Sequence, residues 1–333
     1  MFDIPFLLIL VVITALVFDF TNGAHDCANA IATVVSTKVL SPRTAVVMAA
    51  TLNLIGALLG TEVAHTLGAG IVRPDVVSGS HILVLAGLVG AITWNSLTWY
   101  FGIPSSSSHA LIGGLIGAAL AHAGVDALNG LSIVKKVIIP LLVSPLAGFC
   151  AGLVMMGTIM FLFFNVKRTV ANYFFRNAQV VSAGIMALSH GLNDAQKTMG
   201  VITLALLIFG QIDSITVPLW VKLACALAMA AGTSVGGWKI VKTMGHKIFK
   251  LEPVHGFAAE TSAALVIAGA SILGAPISTT HTITACIFGV GSTKRLSAVR
   301  WGVAGNLLIA WCLTIPAAAV VGWASFTLLE LLF

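Results

Sequence analysis

The sequence predicts an all-α polytopic membrane protein made of two inverted-topology repeats, with broken helices and re-entrant or hairpin half-helices. Three observations predict it. Hydrophobic residues make up 58% of the 333 and charged residues 8%, against about a quarter charged in a soluble domain. Apolar stretches of about 18 or more residues, each long enough to cross a bilayer, recur along the whole chain. Two unusual polar motifs each occur twice, in the same order. The apolar–polar alternation of a membrane β-barrel is missing.

The duplication sets the domain organisation. NGAHDCANAIATVV (Asn22–Val35) pairs with HGLNDAQKTMGVIT (His190–Thr203), placing Gly23 opposite Gly191 and Asp26 opposite Asp194. FGIPSSSSHALIGGLIGA (Phe101–Ala118) pairs with LGAPISTTHTITACIFGV (Leu273–Val290), placing Gly102 opposite Gly274, Pro104 opposite Pro276 and His109 opposite His281. The Asp pair lies 168 residues apart and the His pair 172, so one unit has been copied. Residues 1–165 form the first repeat, 166–177 a cytoplasmic connection and 178–333 the second repeat.

Each repeat shows five apolar blocks. In the first they fall near 4–36, 43–67, 79–101, 105–123 and 131–165, and in the second near 178–211, 216–240, 256–273, 278–292 and 296–331. The outer blocks are too long for one straight span and the fourth too short. Long blocks with a polar interruption, beside short ones bounded by Gly and Pro, are the pattern of broken helices and hairpins in transporters. Met1-Phe2-Asp3 offers no basic n-region and no cleavage pattern follows, so the first block reads as a retained span. With the 166–177 connection cytoplasmic and each third and fourth block a hairpin, twelve of the 17 Lys and Arg fall inside. That satisfies the positive-inside rule, makes the repeats inverted and puts both termini outside. The same rule accounts for the net charge of +6 without nucleic acid as a partner. Cys27, Cys150, Cys225, Cys286 and Cys312 stand singly in apolar surroundings and read as small hydrophobes.

PSSSSH (Pro104–His109) and PISTTH (Pro276–His281) read as helix starts: a proline, then hydroxyl residues, then an apolar run. A helix N-terminus carries free N–H donors and partial positive charge, which suits an oxyanion. Two such starts in inverted halves can face one anion from opposite sides. Ser106, Ser107, Ser108, Ser278, Thr279 and Thr280 add hydroxyl donors. Taken singly, either motif is explained by capping alone; the duplication favours a ligand. His109 and His281, about one turn into their helices, suit packing as well as ligand contact. Neither motif contains an Arg, so the anion is held by neutral donors and can be released.

Asp26 and Asp194 lie inside apolar blocks, and a carboxylate there is by default functional. Their equivalent places let them meet across the pseudo-two-fold axis. Gly23 and Gly191 allow the helices to unwind or to pack closely. Asn22, Asn95, Gln196 and Glu260 are supporting candidates, and Asp19 lies near enough in sequence to contact the same cavity. Glu62, His65, Asp75, His81, Asp126, Asp213, His246, Glu252 and His255 sit at block ends and read as solvated.

Together the two Asp motifs and the two Ser/Thr–His motifs resemble the inorganic phosphate transporter (PiT) family, whose GANDVANA-like signature occurs in both halves. The resemblance covers essentially the whole chain. It implies a multi-pass symporter in a bacterial inner membrane that moves inorganic phosphate with a cation and needs no cofactor. It also implies that Asp26, Asn29, Asn193 and Asp194 serve the cation and substrate, and that Ser106–Ser108 and Ser278–Thr280 bind phosphate. Whether phosphate travels free or as a metal complex, and whether the chain is a homodimer, stay open.

Two departures bear on the cation. His25 stands where the signature has Asn, and Gln196 and Lys197 stand where it has Ala and Asn. Lys197, three residues past Asp194, shares its helix face and supplies an internal counter-charge, while His25 can titrate near neutral pH. Both favour H+ over Na+. Two other functions compete: a sulfate carrier, and an intramembrane metal hydrolase with His25, Asp26, His190 and Asp194 as ligands. A carboxylate accepts a P–OH but repels sulfate, and Lys197 would repel a metal.

Overall fold

A computed structural model describes residues 4–68, 72, 73, 80, 82–214 and 216–332. Asp75 and His81 lie outside the described residues. The chain folds into helices α1 (Ile4–Ser36), α2 (Pro42–Leu58), α3 (Glu62–Gly68), α4 (Leu83–Phe101), α5 (Ser107–Ala123) and α6 (Gly130–Leu162), followed by α7 (Arg168–Ile208), α8 (Leu219–Val235), α9 (Trp238–Lys247), α10 (Pro253–Ile272), α11 (Thr279–Lys294) and α12 (Trp301–Leu332). Among the described residues five are long and apolar enough to cross a membrane, or six if the pair α8–α9, bent by 61° at Gly236–Gly237, counts as one broken span. The protein is therefore a multi-pass membrane protein.

The elements differ from the sequence reading in several places, the 216–240 block among them, which breaks at Gly236–Gly237 and runs on to Lys247. Block 43–67 splits into α2 and α3. The expected connection at 166–177 is mostly helix, because α7 begins at Arg168 and runs 41 residues; no Gly or Pro interrupts it before Gly184. The long polar-interrupted blocks do not break: α1 passes through Asp26, and α7 through Asp194, without a gap. Close packing is what Gly23 and Gly191 provide. A Cβ on Gly23 would lie 2.3 Å from the Met229 carbonyl oxygen of α8, and one on Gly191 would lie 2.2 Å from the Asn53 carbonyl oxygen of α2. Thus α1 lies against α8, and α7 against α2, backbone to backbone.

The hairpins follow the sequence reading. α4 and α5 turn at Gly102, and α10 and α11 turn at Gly274, both with left-handed φ, at 69° and 65°. Glycine meets that requirement without a Cβ penalty. Each hairpin is braced by the last helix of the opposite half: α12 packs on α4 and α5, and α6 packs on α10 and α11. Trp311 of α12 fixes one brace by donating from Nε1 to the Pro104 carbonyl at 3.0 Å.

The apolar interior divides into two cores. One takes Leu7, Val11 and Phe18 of α1 with Met199, Ile202 and Ala205 of α7. The other takes Cys27, Ile31 and Val34 of α1 with Phe175, Ala183 and Met186 of α7. α1 enters the first core with its N-terminal half and α7 with its C-terminal half, so the two helices cross the protein in opposite senses. Between the cores lies the polar layer that carries both Asp motifs.

Replacing Gly23 or Gly191 by Val drives a side chain into a neighbouring backbone. Each variant should unfold at a lower temperature in detergent, with a loss of about 1–3 kcal/mol. An unchanged melting curve for both would show that the helices part freely there.

Candidate functional site

Ser106 caps α5 and Ser278 caps α11. Each adopts extended backbone geometry and accepts, through Oγ, a hydrogen bond from the backbone N–H of His109 or His281, both at 3.2 Å. For these two hydroxyls capping is the role the structure shows. Three of the four hydroxyls that follow turn toward the carboxylates. Ser107 Oγ donates to Asp26 Oδ2 at 3.0 Å, and Thr280 Oγ1 donates to Asp26 Oδ1 at 3.1 Å. Thr279 Oγ1 donates to Asp194 Oδ2 at 2.8 Å. Asn29 Nδ2 donates to Thr280 Oγ1 at 2.9 Å and to Thr279 Oγ1 at 3.2 Å. Asp26 thus receives a hydroxyl from each half, and the two hairpin helices meet over α1 and α7.

Lys197 completes the layer. Its ammonium donates to Asp194 Oδ1, to Ser108 Oγ at 2.5 Å and to the Ile277 carbonyl at 2.9 Å. A carboxylate, a hydroxyl and a carbonyl take all three N–H groups of the ammonium. The side chain is 1% exposed, so it does not snorkel to the surface.

An imidazole stands behind each Asp. His25 Nδ1 is 2.7 Å from Asp26 Oδ1, and its Nε2 is 3.1 Å from Thr98 Oγ1 and 3.3 Å from Ser105 Oγ. His190 Nε2 is 3.0 Å from Asp194 Oδ2, and its Nδ1 is 3.1 Å from Asn53 Oδ1. Ligand atoms of Asp26, His190 and Asp194 all fall within 4.8 Å of one another, a donor set fit for a cation. His109 and His281 pack ring to ring at 5.0 Å, and His281 stacks on Trp311 at 4.0 Å.

Other candidates stand away from this centre. Asn193 donates to Ser271 Oγ at 2.8 Å, and Gln196 accepts from the Val63 N–H at 2.7 Å, which ties α7 to α3. Glu260 accepts from Thr33 at 2.5 Å, from Gln179 at 3.0 Å and from Ser182. Asn95 lines a separate cavity of about 270 Å³ with Phe20, Thr21, Trp99 and Tyr100. Asn22 and Asp19 are buried on α1. His255, read as solvated, is buried: its Nδ1 accepts from the Glu252 N–H at 3.1 Å and its ring meets Phe249. Sequence reasoning passed over Thr98, Ser105 and Asn53. Asn53, a lone amide amid an apolar block, was the one with a visible signal.

Two helix starts, two carboxylates and a buried ammonium are thus enclosed between the apolar cores of a multi-pass membrane protein. Residues 22–173 and 165–322 each match the phosphate transporter family, and the chain belongs to that family. Its relatives include a probable low-affinity inorganic phosphate transporter of Bacillus subtilis (strain 168), 46% identical over 98% of both chains. Another probable low-affinity inorganic phosphate transporter, of Rhizobium meliloti (strain 1021), is 50% identical over 95% of this chain and 94% of its own. The fold matches a solved structure described as the sodium-dependent phosphate transporter, with TM-score 0.90 and 24% identity over 98% of this chain and all of that one. The family is one of transporters, and the hydrolase reading falls away with it.

Removing the ammonium should expose what it holds. Lys197→Met leaves Asp194 buried with no compensating cation, at a cost of about 3–5 kcal/mol. The melting temperature should drop, and the double variant Lys197→Met/Asp194→Asn should recover part of the loss. Equal stability of Lys197→Met and the parent would mean that the ion pair does not hold the layer together.

Proposed function

We propose that the protein is a proton-coupled symporter of inorganic phosphate in a bacterial inner membrane, built from two inverted repeats with both termini outside. One observation carries the coupling: Lys197 occupies, as a tethered cation, a site made of a carboxylate, a hydroxyl and a carbonyl. That is the donor set a hard cation such as sodium takes, so on the Asp194 side the counter-charge is permanent.

Asp26 has no lysine of its own. Ser107 and Thr280 donate to it, and each hydroxyl has one hydrogen to give. A proton on the Asp26–His25 pair weakens the hold of the carboxylate on these hydroxyls and frees them for an arriving phosphate. Proton and phosphate therefore bind together because protonating the pair releases the donors that phosphate takes. Thr279 and Ser108, together with the N–H groups of α5 and α11, add further donors around the same anion. The bacterial relatives named for inorganic phosphate support the substrate.

The cluster of Asp26, His190 and Asp194 supports a second reading, a sodium ion between the two carboxylates. Uptake of labelled phosphate into proteoliposomes separates the two. Under proton coupling, uptake follows an imposed pH gradient and persists without sodium; strict sodium dependence with no response to pH would overturn it. Asp26→Asn should abolish coupled uptake while leaving folded protein.

The shared anion is testable by binding. Ser107→Ala and Thr279→Ala each remove a hydrogen bond to a charged group, a loss of about 1.5–3 kcal/mol or tenfold and more in affinity. The double variant should bind phosphate more weakly than either single one. Unchanged affinity in the double variant would reduce these hydroxyls to partners of the carboxylates.

A further inference from the structure

The polar side chains of α1 form a stripe: Asp19, Asn22, Asp26, Asn29 and Thr33, spaced three and four residues apart. All are at most 2% exposed. At 1.5 Å per residue the stripe extends about 21 Å along the helix. Asp26 and Asn29 belong to the phosphate site. Thr33 connects the C-terminal end to Glu260. Asp19 marks the N-terminal end, about 10 Å from Asp26 and on the same face.

Asp19 is a buried carboxyl with too few partners for an anion. Thr198 Oγ1 donates to its Oδ1 at 2.9 Å, and its Oδ2 is buried without a hydrogen bond. Asn22 Oδ1, one turn further on, is likewise without one. Among the described residues no Lys, Arg or His lies at ion-pair distance from Asp19. The groups that face it are the Asn22 amide on α1, Lys197 and Asp194 beside Thr198 on α7, and Cys225 on α8. Glu260 makes the contrast, since three side chains donate to it. Burying an unpaired carboxylate is costly, and adding a proton removes most of that cost. Asp19 therefore has fewer donors than a buried anion needs, and fewer than Glu260 has.

We propose that Asp19 is a proton-binding station of the transport cycle, which takes up the coupled proton at the N-terminal end of α1 and exchanges it with Asp26 along the polar stripe. This rests on the proton coupling argued above. The proton binds at Oδ2 and leaves from the same atom, so nothing is consumed. Thr198 follows Lys197 in the chain, so the station is built against the same turn of α7 as the fixed counter-charge.

Asp19→Asn keeps the shape and the neutrality of the protonated side chain but cannot release a proton. Exchange of labelled for unlabelled phosphate across proteoliposomes, with no gradient, needs no net proton movement. Accumulation driven by a pH gradient does. The expected result is exchange at the parent rate, loss of pH-driven accumulation, and loss of the phosphate-dependent acidification read by an entrapped pH dye. Two results for the variant would overturn the proposal: retained pH-driven accumulation, or loss of exchange as well in protein that still elutes and melts like the parent, which would make Asp19 structural. The unmodified protein is the control on the coupling itself. If it ignores a pH gradient and follows sodium, the coupling reading fails, and this proposal with it, whatever the variant does.

Discussion

Everything in the polar layer depends on the pairing of Asp194 with Lys197. Two unit charges buried between apolar cores gain nothing from water, so each must find its partners in the protein. Asp194 finds an ammonium, a hydroxyl and an imidazole. Lys197 finds a carboxylate, a hydroxyl from α5 and a carbonyl just before α11. The pair therefore fixes where both hairpin tips can sit. Asp26, without a lysine, draws on hydroxyls from both tips instead. The asymmetry between two otherwise equivalent positions begins at this one residue.

Reciprocal bracing explains why the tips meet. Each hairpin rests on the final helix of the other half, so neither half can close its interior alone. α1 and α7, crossing in opposite senses, are the rods on which both hairpins land. Their glycines bring them within backbone contact of α8 and α2. The polar layer is thus held at a constant depth by rigid, continuous helices, and the polar groups need no gap in the helix to be presented.

Much of this was legible in the sequence. The paired motifs at Asp26 and Asp194, and at Ser106 and Ser278, marked the layer, because a charge or a hydroxyl cluster inside an apolar block has few explanations. The hairpin turns were legible because short apolar blocks bounded by Gly and Pro recur at Gly102–Pro104 and Gly274–Pro276. Continuity at Asp26 and Asp194 was not, since a buried polar residue looks the same on an intact helix as at a break; only the partner backbones decide whether a nearby glycine unwinds or packs. The exchanged bracing was invisible for a similar reason: periodicity reports which face of a helix is apolar, not which helix covers it. His255 misled because a block-end histidine is usually wet, and here it closes a capping box on its own helix. Thr98 and Ser105 gave no signal, being small hydroxyl residues that a helix or turn tolerates anywhere.

A carrier has to bind its cargo without keeping it, and the composition of this site serves both demands. No arginine is built into either tip, so an anion bound there, as proposed, would meet hydroxyls and N–H groups, each a modest donor. Those hydroxyls already have acceptors in the carboxylates. A phosphate bound there, as proposed, would have to win them from Asp26 and Asp194, and would gain only the difference between two sets of similar hydrogen bonds. Under the proton coupling proposed above, neutralising Asp26 would shift that difference toward phosphate, and restoring its charge would shift it back. On that proposal release would need no new contact, only the return of a charge that was there before, and one pair of hydroxyls would serve as both the grip and the switch.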